Sequence, residues 1–292
     1  MPETENVLTE QAQPEEIPDD DTLAVREIPR RDPVDRTGEP LLSIRDVRRE
    51  IDGEIILTDI NFDVWPGEIF GIMGMSGSGK TTLLRLLIAL DRPDEGSVIF
   101  HNEDIARLDE DDLNRVRKSM GMCFQYSALF DSMTVGDNVS FSVRNDRSMS
   151  DDEKREKVAD LLAMVEMAGT EHRMPAELSG GMRKRVSIAR ALMDDPELVF
   201  YDEPSSGLDP VMSCNISGLI RKVSADTGAT AVIVSHDVDN MLGIADRILM
   251  LHDRTTALIG TPDEMRSSDI PIIRRFVHGL ASDQMTGRCS PR

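Results

Sequence analysis

Gly74-Met75-Ser76-Gly77-Ser78-Gly79-Lys80-Thr81 is the stretch on which the reading of this chain turns. It follows an apolar run, Ile69 to Met73, and precedes a helical run, Thr82 to Leu90. That is the strand and helix context in which the pattern G-x-x-x-x-G-K-[ST] wraps phosphate. Glycine lets backbone N–H groups approach a phosphate closely, and a helix N-terminus adds partial positive charge. Gly74, Ser76, Gly77, Ser78, Gly79, Lys80, Thr81 and Thr82 are therefore the expected nucleotide-binding residues. Lys80 is expected on the β- and γ-phosphates and Thr81 on Mg²⁺.

Working outward, Leu198-Val199-Phe200-Tyr201-Asp202-Glu203 is a second apolar strand, ending in two carboxylates. With a phosphate loop upstream, Asp202 is expected to hold Mg²⁺ and Glu203 to act as general base on the attacking water. Further apolar runs bounded by turn residues, Gly121 to Phe124, Thr230 to Val234 and Ile248 to Leu251, alternate with helical patterns. Such alternation describes a mainly parallel α/β sheet. One helix starts at a Ser150/Glu153 capping box, carries Val158, Leu161, Leu162 and Val165 on one face, and is expected to stop at Gly169. Another runs from about Pro210 with Ile216, Leu219, Ile220 and Val223 in register. Leu42 to Val47 and Glu54 to Val64 read as strands, whereas Ser127 to Glu177 has helices and no clear strand, as an inserted helical lobe would.

Composition narrows the classes. A formal charge of −21 and a pI near 4.6 argue against a nucleic-acid partner, which needs basic patches. Cys123, Cys214 and Cys289 have neither paired nor metal-like spacing and read as reduced thiols. No apolar run approaches the ~20 residues of a membrane span, and the N-terminus lacks a secretory layout. Residues 1–40, acidic and proline-rich, are expected to be a disordered tail. Residues 41–265 form the expected catalytic domain, with its lobe at about 127–177, and 266–292 a C-terminal extension.

Leu178-Ser179-Gly180-Gly181-Met182, followed by Arg183 to Leu192, resembles the signature of ABC ATPases, and the resemblance extends from about Leu42 to Gly260. It implies a P-loop NTPase fold with an N-terminal antiparallel β subdomain, and a homodimer that sandwiches Mg-ATP. Ser179, Gly180, Gly181 and Met182 then face the nucleotide of the other copy. Gln125 matches the Q-loop glutamine, which touches Mg²⁺ or the lytic water. Asp209, in Ser206-Gly207-Leu208-Asp209, matches the D-loop, and His236 the switch histidine beside the γ-phosphate. Two departures stand out. Met182 replaces a common glutamine and cannot donate a hydrogen bond. Arg48 to Glu54, where relatives place a ring against adenine, holds no aromatic residue, and Ile51 is nearest in alignment.

Phe124 to Phe130, Met133-Thr134-Val135, Asp137-Asn138-Val139 and Ile273 to Gly279 look like the ATPases of MCE-associated (Mla-like) phospholipid transporters. This resemblance implies a separate integral membrane permease, an MCE substrate-binding protein, a small STAS-domain regulator, and a peripheral location on the cytoplasmic face of the inner membrane. The segment after Gln125, with Leu129, Phe130 and Met133, is either where the permease docks or ordinary lobe core. Ile270 to Leu280 is expected either to pack on its own chain or to clasp the other copy. The alternatives in function are an ATPase serving an importer of amino acids or other polar solutes, and a soluble ABC ATPase such as an iron–sulfur assembly factor.

Overall fold

The computed structural model describes residues 34–279. In chain order the elements are β1 (Leu42–Ile51), β2 (Glu54–Val64), β3 (Ile69–Gly74), α1 (Lys80–Leu87), β4 (Glu95–Phe100), β5 (Glu103–Asp104), α2 (Glu110–Arg117), β6 (Met120–Cys123) and α3 (Val135–Val139). They continue with α4 (Asp151–Met164), α5 (Gly180–Ala191), β7 (Leu198–Asp202), α6 (Pro210–Thr227), β8 (Thr230–Val234), α7 (Val238–Ile244), β9 (Arg247–His252), β10 (Thr255–Gly260), α8 (Pro262–Ser267) and α9 (Pro271–His278).

Six strands form one sheet in the order β10-β9-β3-β8-β7-β6, parallel except for β10. Its central strands read as unbroken apolar runs because both faces are covered. In β3, Ile69 and Met73 enter the core beneath the helical lobe, while Phe70 and Ile72 enter the core beneath the second sheet. β7 divides in the same way, Val199 and Tyr201 against Leu198 and Phe200, and so does β8, Ala231 and Ile233 against Val232 and Val234. Each fully buried large side chain contributes roughly 1.5–3 kcal/mol. The second sheet is antiparallel, in the order β2-β1-β4-β5. The α/β class with a mainly parallel core, antiparallel N-terminal sheet and helical lobe is thus borne out.

Three boundaries differ from expectation. α4 stops at Met164, before Gly169, because Arg185 captures its end: Nη1 donates to the Val165 carbonyl (3.2 Å) and the Glu166 carboxylate (2.7 Å), and Glu166 takes a left-handed φ of 62°. The division expected at 265/266 falls inside α8, whose Thr261/Glu264 capping box and buried Met265 make it part of the domain. Residues 1–33 of the acidic tail lie outside the described residues. Of the remainder, Arg36 reaches the buried Glu68 (3.7 Å) and so belongs to the fold. α9 packs on its own chain, with Ile273 buried in the lobe-side core. Among the described residues no helix is long and apolar enough to cross a membrane.

Candidate functional site

β3 delivers the chain to a cavity of about 900 Å³ at the C-terminal end of the parallel strands. Gly74, Met75, Ser76, Gly77, Gly79, Lys80, Thr81 and Thr82 form one wall. Two glycines are obligatory in this wall. A Cβ on Gly74 (φ 159°) would stand 2.7 Å from the Leu251 carbonyl oxygen, and one on Gly79 (φ 99°) 2.7 Å from Leu57 Cδ2. Gly79 caps α1 without any side-chain hydrogen bond, which leaves first-turn N–H groups for a ligand. Ser78 is the exception among the expected residues. It does not line the cavity, and its Oγ is buried. Lys80 Nζ donates to the carbonyls of Gly74 (2.8 Å) and Met75 (3.0 Å). Burial lowers its pKa, against the opposing pull of Glu203 and Asp202.

β7 and β8 supply the facing wall. Asp202 ends β7, and its pKa is raised by burial and then by the neighbouring Glu203. Glu203 adopts a left-handed φ of 45°, a strained conformation for a residue with a side chain, and its N–H donates to the Val234 carbonyl (2.8 Å). That turn aims the carboxylate at the end of β8. His236 Nδ1 lies 2.8 Å from Glu203 Oε1, and the Ser235 hydroxyl donates to Oε2 at 3.2 Å. Glu203 is 13% exposed and His236 67%, so the carboxylate is sheltered while the ring reaches into the cavity. Gln125 follows β6, lines the same cavity, and donates from Nε2 to the Ser206 hydroxyl at 3.3 Å.

The fold therefore gathers Lys80, Thr81, Gln125, Asp202, Glu203 and His236 around one space. It does not bring the signature there. Ser179, Gly180, Gly181 and Met182 line no part of the cavity. Ser179 caps α5 by accepting from the Met182 N–H (3.2 Å), and Met182 packs its thioether against the lobe-side core. Asp209 caps α6, accepting from Val211 (2.9 Å) and Met212 (3.0 Å), and is likewise outside the cavity. Ile51 is exposed, and the apolar side chain that β2 contributes to the cavity is Ile56.

Sequence reasoning missed Lys184. Nearly buried on α5, it donates to the carbonyls of Gln125 and Glu203 (3.3 Å to the latter) and so ties the two ends of the reacting wall together. Burial lowers its pKa despite Cys123, Asp202 and Glu203 nearby. The available signal was spacing, since Lys184 lies one helical turn beyond Gly180 and on the apolar face of α5.

A profile described as ABC transporter matches residues 57–206. The chain is 36% identical over 238 residues to a protein of Mycobacterium leprae called probable ribonucleotide transport ATP-binding protein mkl, covering 82% of this chain and 69% of that one. It is 38% identical over 241 residues to the intermembrane phospholipid transport system ATP-binding protein MlaF of Escherichia coli, covering 82% and 90% respectively. Among solved structures, the dimeric post-hydrolysis state of the ATP-binding cassette MJ0796 bound to ADP and Pi superposes with a TM-score of 0.68 at 32% identity, covering 76% of this chain and 98% of that one.

Proposed function

The chain belongs to the ABC transporter family as an ATP-binding, ATP-hydrolysing subunit, and from that premise we propose that it energises a separate membrane permease that moves phospholipid in the cell envelope. The observation that carries the catalytic part is the Glu203 carboxylate, sheltered and oriented by His236 and Ser235 across one cavity from the phosphate loop. The phospholipid assignment is supported by the MlaF relative, of which this chain covers 90%.

Two copies act together, each presenting Ser179, Gly180, Gly181 and Met182 to the nucleotide held by the other, with Asp209 at the seam. That arrangement accounts for a signature that lines no part of its own cavity. On binding the triphosphate, Lys80 gives up the Gly74 and Met75 carbonyls for the β- and γ-phosphate oxygens. Glu203 takes a proton from water as the water oxygen bonds to the γ-phosphorus. The bond from that phosphorus to the bridging oxygen breaks, and ADP departs with the electron pair. His236, hydrogen-bonded to Glu203, keeps the carboxylate aimed and reaches the γ-phosphate with the far side of its ring.

The Thr81 hydroxyl, the Asp202 carboxylate and the Gln125 amide are hard oxygen donors on one cavity, the set that suits Mg²⁺. These three side chains would hold the ion together with the nucleotide it accompanies. When bound, Mg²⁺ would neutralise charge on the phosphates. The permease docks beside Gln125, where Tyr126 is 85% exposed and Phe124, Phe130 and Phe141 are also open to solvent. An MCE substrate-binding protein and a small STAS-domain regulator complete the proposed assembly, and the chain sits peripherally on the cytoplasmic face of the inner membrane.

The test is Glu203→Gln. Hydrolysis is expected to fall by about 10²–10⁴-fold, with ATP affinity retained and a dimer accumulating in Mg-ATP. Turnover near wild type would overturn the role of Glu203. Captured from native membranes in mild detergent, the same variant is expected to bring down a permease, an MCE protein and phospholipid. A different permease would leave the ATPase in place and change the cargo.

A further inference from the structure

The cavity has another wall, which no motif announces. α9 presents Ile272, Arg275 and Phe276 to it, and Gly279, which caps its C-terminus, follows one turn on. Their spacing of i, i+3, i+4, i+7 is a single stripe along a helix. The helix is anchored from its other side, where Ile273 is 1% exposed in the lobe-side core and His278 Nε2 lies 3.2 Å from the Arg266 carbonyl oxygen at the end of α8. Packing therefore holds that stripe against the cavity.

The chemistry of the stripe fits a nucleoside. Phe276 is the one phenyl side chain among the residues lining the cavity, where the other ring, His236, is held at the far wall by Glu203, and Phe276 is half-buried there. The β1–β2 hairpin offers no ring between Arg48 and Glu54, Ile51 there is exposed outside the cavity, and β2 contributes only the aliphatic Ile56. A purine left between aliphatic side chains forgoes the ring-on-ring contact that a phenyl supplies. Arg275, one position earlier, is exposed on the cavity, and its side chain makes no ion pair or hydrogen bond among the described residues. It adds a second cation to Lys80 in a wall that will face a polyanion.

We propose that α9 is a wall of the nucleotide site of its own chain, and that Phe276 is the residue that packs against the purine base. The assignment rests on the nucleotide reading of the cavity. It makes Phe276 a specificity-determining residue, one that separates a nucleotide from a bare polyphosphate.

The experiment compares two probes, ATP and inorganic tripolyphosphate, by calorimetric titration of full-length protein at a concentration where sedimentation finds it monomeric. Phe276→Ala is expected to weaken ATP by about 5- to 100-fold and to leave tripolyphosphate within two-fold. Phe276→Trp is expected to restore ATP binding, with indole emission that responds to ATP and not to tripolyphosphate. Equal loss for both probes, or ATP affinity unchanged in Phe276→Ala, overturns the proposal. Lys80→Ala separates this failure from the larger one. If it weakens both probes while Phe276→Ala weakens neither, the nucleotide site stands without α9. If Lys80→Ala weakens neither, the nucleotide reading itself falls.

Discussion

Two loops frame the reacting end of the cavity, and they are held in opposite ways. The loop from Gly74 to Lys80 supports itself: Gly74, Gly77 and Gly79 carry the positive φ angles, Ser78 N–H closes on the Met75 carbonyl (3.1 Å), and Lys80 folds back on its own carbonyls. The loop after β6 has no glycine to spend. Ser127 and Ala128 sit at φ 61° and 48°, each costing about 1 kcal/mol or more, and the restraint comes from elsewhere. Arg190 on α5 donates to both of their carbonyls (2.8 and 2.6 Å), and Lys184, also on α5, donates to Gln125. The hydrogen bonds that shape the first loop run within it. A loop held by the long cations of one helix moves when that helix moves. Ser179 caps α5, so the helix that carries the signature residues at its start is also the one that holds the Gln125 loop.

The largest effect expected is in the self-supporting loop. Gly74→Ala would drive a Cβ to 2.7 Å from a backbone oxygen and 2.5 Å from Ser78 Oγ, and no neighbouring element can take up the strain. It should cost roughly 3 kcal/mol in denaturant unfolding and abolish ATP binding. Lys184→Met comes next. It leaves the carbonyls of Gln125 and Glu203 without their buried donor, a loss of about 1–3 kcal/mol. ATP affinity should stay within two-fold because the phosphate loop is untouched, while turnover falls at least ten-fold. If affinity and turnover fell together, the two loops would not be independent.

Asp202 stands between the loops, and the cations of both, Lys184 and Lys80, favour its charged form. They do not prevail, since burial and Glu203 hold its pKa above the ordinary 3.8. A carboxyl raised on folding contributes stability that is fully present below its unfolded pKa and lost as pH rises through the folded value. Toward neutral pH the ligand-free protein therefore lacks the stability that Asp202 contributes at low pH. Asp202→Asn should raise its melting temperature by roughly 2 °C, a gain that shrinks toward pH 4, while Mg-ATP no longer stabilises the variant. A melting temperature that fell instead would mean the two lysines outweigh the burial.

The same contrast explains what could be read from sequence. Self-contained features were legible: β3 and its glycine loop, β7 with its terminal carboxylates, and α4 from the Ser150/Glu153 capping box. In each, the residues that build the structure are adjacent or one turn apart. Features built from distant partners were not. β4 pairs with β1 through Phe100 and Leu42, far apart in the chain, and its Glu95-Gly96-Ser97 start carries no strand signal. The end of α4 depends on Arg185, the Gln125 loop on Lys184 and Arg190, and the last wall of the cavity on α9. A single basic or aromatic residue has no local pattern that reveals which remote backbone or cavity it serves.

The smallest effect is also the most direct reading of how the Gln125 loop is held. Cys123 ends β6 just before that loop, with Sγ 3.5 Å from the Ser187 carbonyl of α5 and its pKa pushed up to about 12 by burial. At pH 8 the thiol stays protonated, and alkylation of the folded protein, followed by peptide mass spectrometry, should spare Cys123 while modifying the half-exposed Cys214. Arg190→Ala frees the carbonyls of Ser127 and Ala128 and removes a cation that favours the Cys123 thiolate. The second change lowers reactivity, so any acceleration of labelling, expected at several-fold, must come from opening of the loop. Gly77→Ala, in the self-supporting loop, should leave Cys123 as it was. Equal labelling in the two variants would mean that α5 does not hold the Gln125 segment, and the contrast between the loops would be lost.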